Sequence, residues 1–427
     1  MRMDDSCFVE ADGGRKILRT RAGLGSGLEA ILPAGLWTNI PVSEKFAQAS
    51  PYVLHKDDGR YMIRRYAERA TAGSAGAMTP SWDEIAEIHL APRPDWYEKT
   101  TSTGKPMTRV GTLQGTYLGV YPAKVCEYWS ESPRMNCRFC SVGLNLGVDD
   151  ADEKSVAEVM EVVRAAREGS GITYVDFNTG HYEGDTYLDI LEPYIRRIKR
   201  ETALLVGVQT PPHHDLRRYD ALREMGVNRV SFCFEIFDQE TFKRVCPGKD
   251  REYGLARYLR AVEYCAGLGR GRGLGFEPWV SNGEIITGLE PPSSSIAAID
   301  WITSVGAIPT VCVFRPLAGT DMEGDAPPRA ADLVPVFRRL YEACMERGLP
   351  IGVAPNVHVS LVLLPEECRW FVDNPRKYMW KELRLKALSL AFRTKFQRQV
   401  RRTMGRYAGQ HASAADRSST VTTPPSS

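Results

Sequence analysis

The chain has 427 residues, 43% of them hydrophobic and 25% charged, with 55 Lys and Arg against 53 Asp and Glu. This composition is ordinary for a globular protein, and a formal charge of +2 supplies no overall field for nucleic acid or an anionic membrane. No run of about 18 apolar residues is present to span a bilayer. The first residues, with Asp4, Asp5, Glu10 and Asp12, lack a signal-peptide pattern, so a cytoplasmic protein is expected.

Residues 1–112 show no repeating pattern. Glycine-rich patches at 23–27 and 73–76 separate short strand candidates such as Tyr61–Arg65, and this part reads as an N-terminal accessory region. From about 113 a rhythm begins. Strands are expected over 117–125, 172–178, 204–209, 229–235, 283–288 (with 274–280 as a possible part) and 308–314. Helices are expected over 153–167, 186–200, 214–225, 252–268, 295–304 and 333–347. Gly226 suits the C-terminal cap of the third helix.

Six alternating strand–helix units predict an α/β fold with a parallel sheet, either doubly wound or a complete or partial barrel, over 113–350. No Gly-x-Gly-x-x-Gly follows the first strand, against a dinucleotide fold. Residues 351–407 form a C-terminal extension, with a strand over 353–364 and a helix over 380–400. That helix mixes Leu383, Leu385, Leu388, Leu390, Phe392 and Phe396 with Lys and Arg. The pattern favours packing on the core with solvated basic residues over a membrane-surface or partner helix. Ser, Thr and Pro dominate 408–427, where disorder is expected.

Three cysteines fall within fifteen residues just after the first barrel strand: Cys126, Cys137 and Cys140, spaced C-x10-C-x2-C. In a reducing compartment such a cluster points to metal or redox chemistry rather than disulfides. Independent buried thiols are one reading, made unlikely by the shared loop with Pro133, Arg134 and Asn136. A zinc site is a second, with His181, His213 or His214 as fourth ligand, in a non-radical α/β protein or binding module. A four-iron cluster on three cysteines is the third. It leaves one iron open to bind a substrate or cofactor directly.

The chain resembles the radical S-adenosylmethionine superfamily over about 117–320. The resemblance is carried by Cys137-Arg138-Phe139-Cys140, the C-x-aromatic-C half of the family motif, placed after the first strand of the repeating units. The family's first gap is three residues, and here it is ten. The resemblance implies a partial (β/α)6 TIM-type barrel, with a core similar to biotin-synthase-like members. It also implies a 4Fe-4S cluster on Cys126, Cys137 and Cys140. The cofactor implied with it is S-adenosylmethionine, cleaved reductively to a 5'-deoxyadenosyl radical that abstracts hydrogen from a substrate.

Further positions resemble that family's cofactor contacts. Phe139 precedes the last cysteine, and Thr179 and Gly180 stand in the loop after the second strand. Glu235 ends the fourth strand, where it shares parity with Ser231 and Cys233. Arg257 is the expected partner of the methionyl carboxylate. Ile286 lies on the fifth strand and Val311 on the sixth. Cys233 resembles the cysteines that donate hydrogen in some radical epimerases. Arg315, at the end of the sixth strand, suits an acidic or phosphorylated substrate or a loop carboxylate. His213, with His214, is expected at the same end of the barrel.

The implied partners are a small-molecule substrate, with specialised-metabolite or cofactor biosynthesis as the expected setting, and an electron donor such as flavodoxin or ferredoxin. No nucleic acid or membrane partner is expected. No C-x2-C occurs after residue 140, against an auxiliary cluster, and no Asp-x-His-x-x-Gly marks a cobalamin site.

Overall fold

The computed structural model describes residues 1–7, 28–42, 44–70, 78–269, 278–353 and 363–419. The N-terminal region is built from β1 (Arg2–Met3), β2 (Leu28–Leu32), β3 (Leu36–Ile40), the short helix α1 (Lys45–Gln48), β4 (Tyr52–Asp57), β5 (Arg60–Ala70) and β6 (Met78–Leu90). These strands form one sheet in the order β1-β4-β5-β6-β2-β3. The β4–β5 hairpin closes through Asp58 and Gly59, both at positive φ, the Asp-Gly pair that two-residue hairpin loops favour. Met1, Ala30, Val42, Leu54 and Ile88 make its small separate core.

The second sheet holds β7 (Thr112–Gln114), β8 (Tyr117–Val120), β9 (Tyr174–Asn178), β10 (Leu205–Gln209), β11 (Arg229–Glu235), β12 (Val280–Thr287) and β13 (Ile308–Val313). Its order is β13-β12-β11-β10-β9-β8-β7; β8 to β13 are parallel in chain order and β7 is antiparallel to β8. This is a partial (β/α)6 barrel. Near-continuous apolar strands follow from burial on both faces, as in β10, where every residue is buried.

The helices are α2 (Val142–Asn145), α3 (Val156–Ser170), α4 (Tyr187–Thr202), α5 (Arg218–Glu224), α6 (Gln239–Val245), α7 (Pro247–Glu252), α8 (Gly254–Gly269), α9 (Pro292–Ser304), α10 (Ala330–Glu346) and α11 (Met379–Ser419). The α3 helix starts at a capping box in which Ser155 and Glu158 satisfy each other's backbone N–H groups, and Gly171 ends it in the left-handed conformation.

The main differences from expectation are local. The first barrel strand stops at Val120, not 125, because the chain turns into the cysteine loop there. α5 is shorter than predicted and begins at Arg218, and two short helices, α6 and α7, precede α8. The strand expected over 353–364 and the alternative over 274–280 fall largely outside the described residues. α11 runs on to Ser419, so 408–419 continue the helix where composition suggested disorder; each added residue extends an existing hydrogen-bond ladder without a new nucleus. Among the described residues no helix is long and apolar enough to cross a membrane.

Candidate metal centre

The cysteines sit where the chain leaves β8. Cys126 opens a short 3-10 turn over Glu127–Trp129, and Trp129 N–H donates to the Cys126 carbonyl at 3.0 Å. The ten-residue gap then folds back on itself, Met135 N–H donating to Tyr128 O at 2.9 Å. It is anchored to the far wall by Gly248 N–H to Met135 O (3.0 Å) and Arg138 N–H to Val245 O (2.9 Å). Arg251 grips Glu131 with two bonds of 2.7 Å. Cys140 N–H donates to Cys137 O at 3.0 Å, closing the C-x-F-C half into a tight turn.

Two glycines are required by close approach. A Cβ on Gly180 would lie 2.7 Å from Cys126 Cα, and one on Gly143 would lie 2.8 Å from Trp129 Cγ and closer still to its Cδ2 and Cε3. Gly143 therefore serves packing against the gap's own tryptophan.

A cavity opens at the carboxyl ends of the strands. Cys126, Cys137 and Cys140 all line it, with Phe139, Thr179, Gly180, Cys233, Glu235, Ile286 and Arg315. Three expected residues do not. Val311 is turned into the core because on β13 it is its neighbour Cys312 that faces the cavity. Arg257 stands one turn into α8, its guanidinium 6.0 Å from the Tyr253 ring centre. His213 is buried beside the cavity wall, with Nδ1 facing the backbone of Asp215 and the ring edge-on to Tyr187. His214 pairs instead with Asp185. Arg315 lines the cavity, but its guanidinium donates to Asn39 Oδ1 and O, both at 2.8 Å, on the N-terminal sheet.

The cavity also exposes residues that sequence reasoning missed. Lys249 of α7 ion-pairs with Glu235 and donates to Cys233 O at 2.6 Å. Burial raises the Glu235 carboxyl to about 8 despite the ammonium beside it. Nothing in the sequence marks Lys249, because α7 itself was not legible. Glu284 could have been found by register: it sits opposite Cys233 on the adjacent strand. It accepts from Ser231 (3.4 Å) and Cys312 (3.6 Å), and burial pushes its pKa up. Below it Arg229 bonds Asn282 at 2.9 Å and faces Asp176 at 3.5 Å, while Gln209 donates to Asp176 at 2.8 Å. This buried polar layer forms the floor.

Three cysteines in one cavity wall are the kind of donor set an iron–sulfur cluster takes. Among the described residues no three His, Cys, Asp or Glu side chains gather around one point as a lone ion needs. Cluster thiolates each hold a different iron and stand further apart. A hydrogen bond from Cys246 and then the Lys249 charge hold the Cys137 thiol below its usual value, favouring the thiolate a metal requires. Burial pushes Cys126 to about 11 and Cys140 to about 12, so loading them must release protons. Tyr128 Oη and Tyr258 Oη, both on residues lining the cavity, are buried with no hydrogen-bond partner among the described residues. Orphaned donors of that kind fit a site built around a polar group.

Residues 132–284 match the family model described as the radical SAM superfamily. The matched segment holds Cys137, Cys140, Glu235 and Glu284, and Cys126 lies just before it. The chain is 32% identical over 269 residues to bacteriochlorophyllide c C-7(1)-hydroxylase of Chlorobaculum limnaeum, covering 58% of this chain and 64% of that protein. The chain thus spans a little under two thirds of that relative's length. Among solved structures, methylornithine synthase matches at 17% identity and TM-score 0.39, over 53% of this chain and 62% of that one. Coproporphyrinogen III oxidase from Escherichia coli matches at 14% identity and TM-score 0.35, over 54% and 52%.

Proposed function

We propose that the protein is a radical SAM enzyme that holds a 4Fe-4S cluster on Cys126, Cys137 and Cys140 and abstracts hydrogen from a small-molecule metabolite. The observation that carries the reading is the meeting of three free cysteines in one cavity wall, two of them inside the stretch that matches the radical SAM model. When bound, the cluster with S-adenosylmethionine would supply a 5'-deoxyadenosyl radical.

The chain's own residues then divide the work. Lys249 and Glu235 set the charge beside the cysteine loop, and Thr179 and Gly180 present backbone close to Cys126. Phe139, Ile286 and Phe314 offer apolar wall, while Glu284, Cys233 and Cys312 face the reaction space from the floor. A substrate with apolar surface suits those walls, and the relative's name refers to a bacteriochlorophyllide. In this reading Cys233 is placed to return a hydrogen atom to a substrate radical, and Arg315 acts as a structural staple in the wall. An external one-electron donor is required by the chemistry.

The test is anaerobic reconstitution of wild type and Cys137→Ala. Wild type is expected to be brown, with about four irons and four sulfides per chain, and to release 5'-deoxyadenosine from S-adenosylmethionine under reduction. Cys137→Ala, left with two ligands, should lose the cluster and the product. A colourless wild-type protein with one zinc would overturn the proposal in favour of the metal-binding, non-radical alternative. Undiminished 5'-deoxyadenosine from the variant would overturn the ligand assignment.

A further inference from the structure

The C-terminal helix α11 carries two apolar faces. One is used by the fold: Phe396 and Val400 are buried, and Leu385 and Phe392 pack against the same core. The other is exposed. Trp380 is 77% exposed, Leu390 67%, Leu383 50% and Met379 45%, a concentration of large exposed apolar side chains found nowhere else on the barrel side among the described residues. At 3.6 residues per turn these four, together with Ala387, Ala391 and Thr394, fall on one continuous stripe. That stripe lies opposite the packed face.

Charge defines what the stripe faces. Between 379 and 407 the helix has nine Lys and Arg and the single acid Glu382. Glu382 is turned inward, accepting from Arg369 at 2.6 Å and paired with Tyr341. The outward surface is therefore uniformly basic around an apolar centre. Arg384 and Lys395 border the stripe on one side, Lys386 and Arg393 on the other. A second copy of this helix would bring like charges together on both borders. Nucleic acid would meet an apolar strip where it needs phosphate contacts. An anionic bilayer surface satisfies both features at once: the Trp and Leu side chains enter the headgroup boundary while the flanking cations meet lipid phosphates.

We propose that α11 is an interfacial helix that docks the protein on anionic phospholipid, lying in the plane of the surface without crossing it. This revises the sequence-based preference for a helix that only packs on the core. The proposal is independent of the radical SAM chemistry, since none of the stripe residues lines the barrel cavity. Docking of this kind suits an enzyme whose substrate partitions into lipid.

The experiment is sedimentation of the full chain with vesicles of phosphatidylcholine, alone or with about one quarter phosphatidylglycerol, at low and high salt. Binding is expected to the anionic vesicles only and to fall as salt rises. Trp380→Ser with Leu390→Ser should weaken it by about tenfold or more, and Arg384→Glu with Lys395→Glu by a similar factor. All four positions are exposed, and the far-ultraviolet circular dichroism and melting temperature of each variant establish that the fold is kept. Three results would overturn the proposal: no association with anionic vesicles at low salt, association that survives both double substitutions, or a dimer in light scattering that only the Trp380 and Leu390 changes dissociate.

Discussion

Lys249 is a largely buried cation beside the cysteine loop, and its partner Glu235 has the unusual positive φ of 61° next to a break in the β11–β12 register. The bulge turns Glu235 toward α7, which is why an acid at a strand end meets a lysine from a helix. Removing one member of a buried pair leaves the other without compensation, at about 3–5 kcal/mol. In urea unfolding above about pH 8, where Glu235 is ionised, Lys249→Met is therefore expected to lower apo-protein stability by about 3 kcal/mol. The double variant Lys249→Met with Glu235→Gln should recover most of that loss. Equal destabilisation in the single and double variants would show that the two residues do not act as a pair. At this scale the sequence was informative for Cys126, Cys137, Cys140, Phe139 and Glu235, because motif and strand parity are local properties. It was blind to Lys249, whose importance arises only when α7 is laid against β11.

The strand–helix units were legible because each carries its own periodicity, as α3 does with Val159, Met160 and Val163 buried together. Strand parity also explains the one strand residue misplaced: Val311 is adjacent to Cys312, and a slip of one residue exchanges the cavity for the core. The elements of the N-terminal sheet were mostly illegible, since they pair across long separations and β2 joins β6. That sheet reaches the barrel through Glu29 of β2, which accepts from Gly115 N–H, in the turn between β7 and β8, at 2.7 Å. Burial raises Glu29 from 4.5 to about 7. The folded state thus prefers the neutral acid, so the stability Glu29 contributes through burial is fully present below the unfolded value and is lost as pH rises through about 7, against the pull of the Gly115 N–H, which favours the carboxylate. Thermal melts of wild type and Glu29→Gln from about pH 5 to 8 check this. The wild type should lose stability relative to the variant as pH rises, and a constant difference would count against it.

For the whole molecule, the question is how two separately cored bodies make one site. Arg315 answers it in part. It leaves the end of β13, lines the cavity and is held by Asn39 of β3, so the N-terminal sheet helps to close the barrel mouth. Nearby, the Met1 ammonium donates to Pro41 O at 2.7 Å, tying the first residue to the same edge. Asn39→Ala removes one acceptor and leaves a buried guanidinium N–H short of its partner, worth about 1–3 kcal/mol. Amide hydrogen exchange over β3 is expected to accelerate in that variant while exchange in β9 and β10 stays unchanged. Uniform acceleration across both sheets would mean the contact supports the whole fold and not the seam.

The sequence by itself determined the chemistry on offer: a cysteine motif after the first of six strand–helix units, each encoded by local spacing and periodicity. Tertiary structure decided the rest. It drew Lys249, Glu284 and Cys312 into the cavity and left Val311, Arg257 and His213 out of it. It also turned Arg315 to the N-terminal sheet and left Trp380, Leu383 and Leu390 facing outward. Those outcomes depend on which surfaces meet across hundreds of residues, and spacing along the chain carries no record of such meetings. The cysteine loop lies between the two cases. Its ligands are read from the motif, but its ten-residue gap acquires a role only when Tyr128 stacks on His181 and Met135 bonds Gly248.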